Sequence, residues 1–123
     1  MIFEGIYIQS IACIDASGQV DNLKQAANVG KDVDFIDQRI GARCLPQAIE
    51  GETAVALGLR AAQKALSFAD LNSSDIGLII FVSQNPDHGG LPHNSALLQS
   101  ELGSPTSAIC FDVGLGCSGY CYA

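Results

Sequence analysis

The sequence predicts an α/β fold, a layered domain with helices packed on a largely parallel sheet. Three observations carry this. The segment "IGLIIFVS" (76–83) is a continuous apolar run of strand length, the pattern of a strand covered on both faces. The segment "ETAVALGLRAAQKALSFA" (52–69) repeats its apolar residues at helical spacing. A second strand-like run, "AICFDV" (108–113), follows a segment that reads as a helix started by a proline. Strands alternating with helices favour a parallel sheet.

Bulk composition sets the bounds. The chain has 123 residues, enough for one compact domain with a core. Its 48% hydrophobic and 15% charged residues argue against disorder. With a net charge of −7 and six Lys and Arg, it lacks the basic stripe that nucleic-acid binding requires. The start, "MIFEGIYIQS", has an early glutamate and no positive region, unlike a signal peptide. Apolar runs fall far short of bilayer length, so no membrane span is expected. Five cysteines (Cys13, Cys44, Cys110, Cys117 and Cys121) fit no zinc spacing, so no metal is expected. Reduced thiols in the cytoplasm are the simplest expectation.

Residues 2–14, rich in Ile and Tyr, read as a strand with a bend near Gln9 and Ser10. Residues 15–22 read as turn material. Asp21 or Asn22 is placed to cap a short helix over 23–29 that Gly30 ends. Residues 32–47 read as a short helix and then a loop, broken at Gly41 and Pro46. In the helix over 52–69, Ala54, Val55, Leu59, Ala62 and Leu66 share an apolar face. Arg60, Gln63, Lys64 and Ser67 share the polar one, and Glu52 suits the positive N-terminal end. "DLNSSD" (70–75) is a turn, and the polar loop "QNPDHGG" follows the 76–83 strand. Pro92 fits the first turn of a helix over 92–102 that Gly103 stops, with Leu97, Leu98 and Leu102 facing inward.

The last strand runs into "DVGLGCSGYCYA" (112–123), whose Gly114–Gly119 is a literal G-x-G-x-x-G. A dinucleotide site would also need a full helix, a second strand and an acidic residue about 20 positions on. Only Tyr120, Cys121, Tyr122 and Ala123 follow Gly119 here. The glycines could instead serve tight packing, with Cys117 a buried small residue like Cys13, Cys110 and Cys121. The third reading is a nucleophile seat. Cys117 follows a strand and a double-glycine turn, in the expected first turn of a helix. Free N–H groups there favour a thiolate and can hold an oxyanion.

Three stretches give the chain a family likeness. They are "DVGLGCSGYCYA", "RIGARCLPQAIEGETAVALGLRAAQKAL" and "LNSSDIGLIIFVSQNPDHGGLPHNSALLQSELG". In this order and spacing, the chain resembles the N-terminal half of β-ketoacyl-acyl-carrier-protein synthase III, in the thiolase superfamily. The resemblance implies a thiolase-like layered fold with a mostly parallel mixed sheet and helices on its faces. It implies an acyltransferase in which Cys117 accepts an acyl group from acyl-coenzyme A. That group then passes to a carbanion formed by decarboxylation of malonyl-acyl carrier protein. It further implies that Arg39, in an Arg-x-Gly-x-Arg stretch with Gly41 and Arg43, borders the coenzyme A entrance. Phe35 falls near a residue that stacks on the adenine, and Leu91 where relatives reach into a partner subunit's acyl pocket. Acyl-coenzyme A, acyl carrier protein and a second copy in a homodimer are therefore the implied partners, with no resident cofactor. His88 and His93 are rejected as catalytic: His88 is expected in solvent, and His93 is poorly placed for a positive charge at a helix start. The family's own His and Asn lie in a C-terminal half that residues 1–123 do not include. The expectation is a half-domain cut within the nucleophile helix, inactive in condensation alone. A non-catalytic acyl-binding or subunit-pairing fragment is the alternative.

Overall fold

The computed structural model describes Gly5 and residues 7–123. It divides into two compact units: Asp15–Glu52, and Met1–Ile14 with Thr53–Ala123.

The smaller unit pairs two short antiparallel strands, β1 (Gly18–Asp21) and β2 (Cys44–Gln47), with Gly18 opposite Gln47 and Asp21 opposite Cys44. Both lie where the sequence predicts turn or loop. Glycine and proline mask them, since both residues weaken a strand signal. The pairing itself explains each. A Cβ at Gly18 would sit 2.8 Å from the Gln47 carbonyl oxygen, and Pro46 lies in a two-stranded ladder with no central position to disrupt. Helix α1 (Asn22–Asn28) begins as expected, with the Asp21 carboxylate accepting from the N–H groups of Leu23 and Lys24. Gly30 follows it in the left-handed region at φ +66°. Asp32 caps α2 (Val33–Phe35), which continues as a π-helical turn over Ile36–Ile40. Gly41, at φ +77°, ends that turn as predicted.

The larger unit holds α3 (Ala54–Ala69), β3 (Leu78–Val82), α4 (Asn94–Leu102), β4 (Ile109–Val113) and the one-turn α5 (Gly119–Tyr122). Strands β3 and β4 pair in parallel through α4, with Leu78 opposite Ile109 and Val82 opposite Val113. This βαβ unit bears out the predicted α/β class. Val55, Ile79 and Leu98 form the buried core, with Leu59, Phe81 and Cys110 packed around them. Gly58 brings α3 close to β3, because a Cβ there would lie 2.9 Å from Phe81 Cε2. Arg60, Gln63, Lys64 and Ser67 are exposed on α3, as the spacing predicts. No helix of the described residues is long and apolar enough to cross a membrane.

Several expectations are corrected. Residues 7–14 form no ladder among the described residues; the rest of the predicted 2–14 strand, apart from Gly5, lies outside them. Tyr7, Ile8 and Ile11 are exposed, and the segment is tied to α3 by Ser10 Oγ donating to the Ala65 carbonyl and Lys64 Nζ donating to that of Cys13. An apolar pattern marks what a strand would bury, but only a partner makes a strand. β3 is not covered on both faces, since Leu78 and Val82 are 49% and 38% exposed. α3 starts at Ala54 under Thr53, and the Glu52 carboxylate accepts from the N–H and hydroxyl of Ser17 instead. α4 starts at Asn94 with His93 as its cap residue, which leaves Pro92 outside the helix. Cys13 and Cys121 are exposed, not buried.

Candidate functional site

The turn carrying Cys117 hangs from the end of β4. The ladder runs one bond past β3, where the Ser83 N–H donates to the Val113 carbonyl at 3.1 Å. The chain then turns at Gly116, whose carbonyl accepts from the Gly119 N–H at 2.8 Å. Cys117 lies in this turn, exposed, just ahead of α5 rather than inside its first turn as expected. Helix α5 is a single turn, held by bonds such as Ala123 N–H to the Gly119 carbonyl at 2.9 Å.

The glycines around Cys117 answer to packing. A Cβ on Gly119 would lie 2.5 Å from Val82 Cγ1, and one on Gly116 would lie 2.8 Å from Gln84 Nε2. The Val82 contact is far inside carbon–carbon contact and is made by a stiff side chain, whereas Gln84 meets Gly116 with the movable end of its side chain. Gly114 has nothing within 4 Å of its Cβ position. The second and third glycines of the G-x-G-x-x-G are thus backed by side chains of β3 and its following loop. Where a dinucleotide fold brings phosphate against bare backbone, this turn has Gln84 and Val82, and it presents the cysteine outward.

Part-buried hydrogen bonds join β4, the loop after β3 and the starts of α4 and α3. The Asp112 carboxylate on β4 accepts from the N–H groups of Asn94 and Ser95, each at 2.8 Å, at the start of α4. Asn94 and Ser95 are fully buried. Asn94 Oδ1 accepts from the Asp87 N–H at 3.1 Å. The Asp87 carboxylate in turn accepts from the N–H groups of Ala54 and Val55, at 2.9 and 2.8 Å, at the start of α3. Each carboxylate serves the N–H groups that a helix leaves unpaired. Burial pushes the Asp112 carboxyl up, but hydrogen bonds from Ser95 and Asn94 and the nearby His93 outweigh it. The net effect holds the group below its ordinary value. His93 Nδ1 stands 3.9 Å from Asp112 Oδ2, which gives a positive charge there a counter-ion that the sequence did not reveal. His88 is exposed, as expected.

The other predicted site residues divide between the units. Leu91 belongs with Cys117 in the larger one, 76% exposed at the end of the loop between β3 and α4. Phe35 and Arg39 lie in the smaller one. Phe35 is half-buried along an apolar groove of about 380 Å³ that Val29, Ile36 and Leu45 also line, with Lys31 Nζ 5.3 Å from its ring centre. Arg43 is engaged: its fork holds Asp37 through Nε and Nη2 at 2.9 and 2.7 Å. That bond lowers the Asp37 carboxyl and raises the Arg43 guanidinium. Arg39 is exposed and has no ion pair among the described residues, which leaves its guanidinium available. No group of three or more His, Cys, Asp and Glu among the described residues is arranged to hold a metal ion.

Sequence reasoning missed Asp87, Asn94 and Asp112. The one local signal was Asn94 at the start of α4; no Asp or Asn lies beside the start of α3. The donors lie 17 to 33 residues from their acceptors, too far apart for local capping rules to pair them.

No protein-family model matches the chain. It is 39% identical over 105 residues to β-ketoacyl-[acyl-carrier-protein] synthase III of Rhizorhabdus wittichii and, over the same length, of Sphingopyxis alaskensis. Each match covers 85% of this chain and 32% of the relative, so the chain spans about a third of the length of the curated relatives it matches. Among solved structures, a 3-oxoacyl-(acyl-carrier-protein) synthase III superimposes with a TM-score of 0.83 at 33% identity, covering 94% of this chain and 34% of that one. A variant of OleA from Xanthomonas campestris superimposes with a TM-score of 0.82 at 24% identity, over 99% of this chain and 39% of that one, a likeness of fold.

Proposed function

Since the chain belongs to the β-ketoacyl-[acyl-carrier-protein] synthase III family, matching part of the N-terminal half of these thiolase-like condensing enzymes, we propose that Cys117 is the acyl-accepting nucleophile of a condensing enzyme. The observation that carries this is the exposed Cys117 on a turn whose flanking glycines are filled from behind by Gln84 and Val82. The sulfur attacks the thioester carbonyl of an acyl-coenzyme A. A tetrahedral oxyanion forms and collapses, and the coenzyme A thiolate leaves and takes a proton. A malonyl group on acyl carrier protein then loses carbon dioxide. The resulting carbanion attacks the Cys117 thioester, a carbon–carbon bond forms, and the Cys117 sulfur is released.

Phe35 and Arg39 are the proposed coenzyme A contacts. The Phe35 groove offers an apolar face on which a purine can stack. The unpaired Arg39 guanidinium suits a phosphate. Leu91 is proposed to reach a second copy of the chain in a homodimer, which its exposure supports. The five free thiols suit work in the reducing cytoplasm. The complete protein that carries these residues should gain an acyl group from acyl-coenzyme A, and its Cys117→Ala variant should gain none. Undiminished acylation of that variant in intact-mass spectra would overturn the assignment.

A further inference from the structure

We infer that Asp112 is a positioning residue for Cys117, fixing the end of β4, and with it the nucleophile turn, against the buried start of α4. The inference rests on the reading of Cys117 as the nucleophile. Asp112 stands five residues before Cys117 on the same strand-to-turn segment, and its side chain is 18% exposed. Both of its oxygens are engaged, one by the Asn94 N–H and the other by the Ser95 N–H, each at 2.8 Å. A carboxylate held at two points by donors on fully buried residues cannot pivot as a singly bonded group can. From that point the chain has four residues in which to reach Cys117. Over those residues its course is set by the Ser83 to Val113 bond, then by the Gly119 to Gly116 bond and by Val82 behind Gly119. Asp112 is therefore the side-chain fixed point of a turn otherwise held by two backbone hydrogen bonds and by Val82 behind Gly119.

A neighbouring group of the same kind supplies the control. Asp87 makes an equivalent two-point bond to Ala54 and Val55 at the start of α3; its link to Asn94 runs through its own backbone N–H, which Asp87→Asn leaves in place, and it is not on the segment that ends in Cys117. Replacing either carboxylate by an amide leaves one acceptor oxygen and sets an NH2 donor against the second N–H, so both changes should lower stability alike. Only the change at Asp112 should also move the nucleophile.

The experiment compares Asp112→Asn and Asp87→Asn in the complete protein, well below both melting temperatures. It follows acyl loading of Cys117 from acetyl-coenzyme A by intact mass. Asp112→Asn should lower the loading rate at saturating acetyl-coenzyme A at least tenfold, with the half-saturating concentration unchanged within twofold. Asp87→Asn should lose similar thermal stability and load within twofold of the wild-type rate. Loading by Asp112→Asn at the wild-type rate, or equal losses of loading in the two variants, overturns the positioning role. Loading of Cys117→Ala overturns the underlying nucleophile reading instead, so the two failures are distinguishable.

Discussion

Gly119→Ala tests the packing that presents Cys117. The added methyl would sit 2.5 Å from Val82 Cγ1 and 3.5 Å from Leu115 Cβ. It would be about 1 Å inside ordinary carbon–carbon contact. Val82 is β-branched, with little freedom at χ1, and its backbone is fixed in the ladder opposite Val113. The turn must therefore move. Overpacking of this kind costs about 1–3 kcal/mol, and the better helix propensity of alanine returns at most about 1 kcal/mol. A net loss of about 1–2 kcal/mol is expected in denaturant unfolding of the complete protein. Cys117 is two residues away, and a shift near 1 Å at a reacting atom can cost about 100-fold in rate. Loading from acetyl-coenzyme A should fall accordingly. Gly114→Ala is the matched control, with open space at its Cβ position, and it should load normally. If Gly119→Ala is as stable as wild type and loads as fast, the glycine is not there for packing and the reasoning is refuted.

Three further outcomes follow from the same geometry. Asp112 is held below its ordinary pKa of 3.8, so the unfolded chain takes up its proton at higher pH than the folded chain. Its stabilisation is full above the ordinary carboxylate range and is lost as pH falls through the lowered folded value. The stability gap between wild type and Asp112→Asn should narrow below pH 3.8, and a gap that stays constant into acid contradicts the assignment. Gly58→Ala places a methyl 2.9 Å from Phe81 Cε2, so it should not show the usual helix gain of about 1 kcal/mol. Calorimetry finding that full gain would show α3 and β3 less closely packed than described. Arg39→Ala should raise the half-saturating concentration of acyl-coenzyme A about tenfold, the cost of one charge-assisted hydrogen bond, with little change in melting temperature. An unchanged value would remove Arg39 from the proposed site.

What was legible in the sequence follows the range of the interactions. The Asp21 cap, the Gly41 stop and the two faces of α3 are local, and they lie where the spacing put them. β1 and β2 were hidden because their pairing joins residues more than 20 apart and passes through Gly18 and Pro46, which read locally as breakers. Capping of α3 and α4 by Asp87 and Asp112 was hidden for the same reason. Of the candidate site, Cys117 could be singled out because glycines on both sides of a cysteine after a strand are a local signal. Its place in the turn ahead of α5 was not visible, since that depends on where Val82 and Gln84 stand.

The most direct test of the account is the location of the acyl group. The complete protein is incubated with acetyl-coenzyme A and digested, and tandem mass spectrometry separates Cys117 from Cys110 and Cys121 in the same peptide. The account predicts the acetyl group on Cys117 alone. An acetyl group on another cysteine, with Cys117 unmodified, contradicts it.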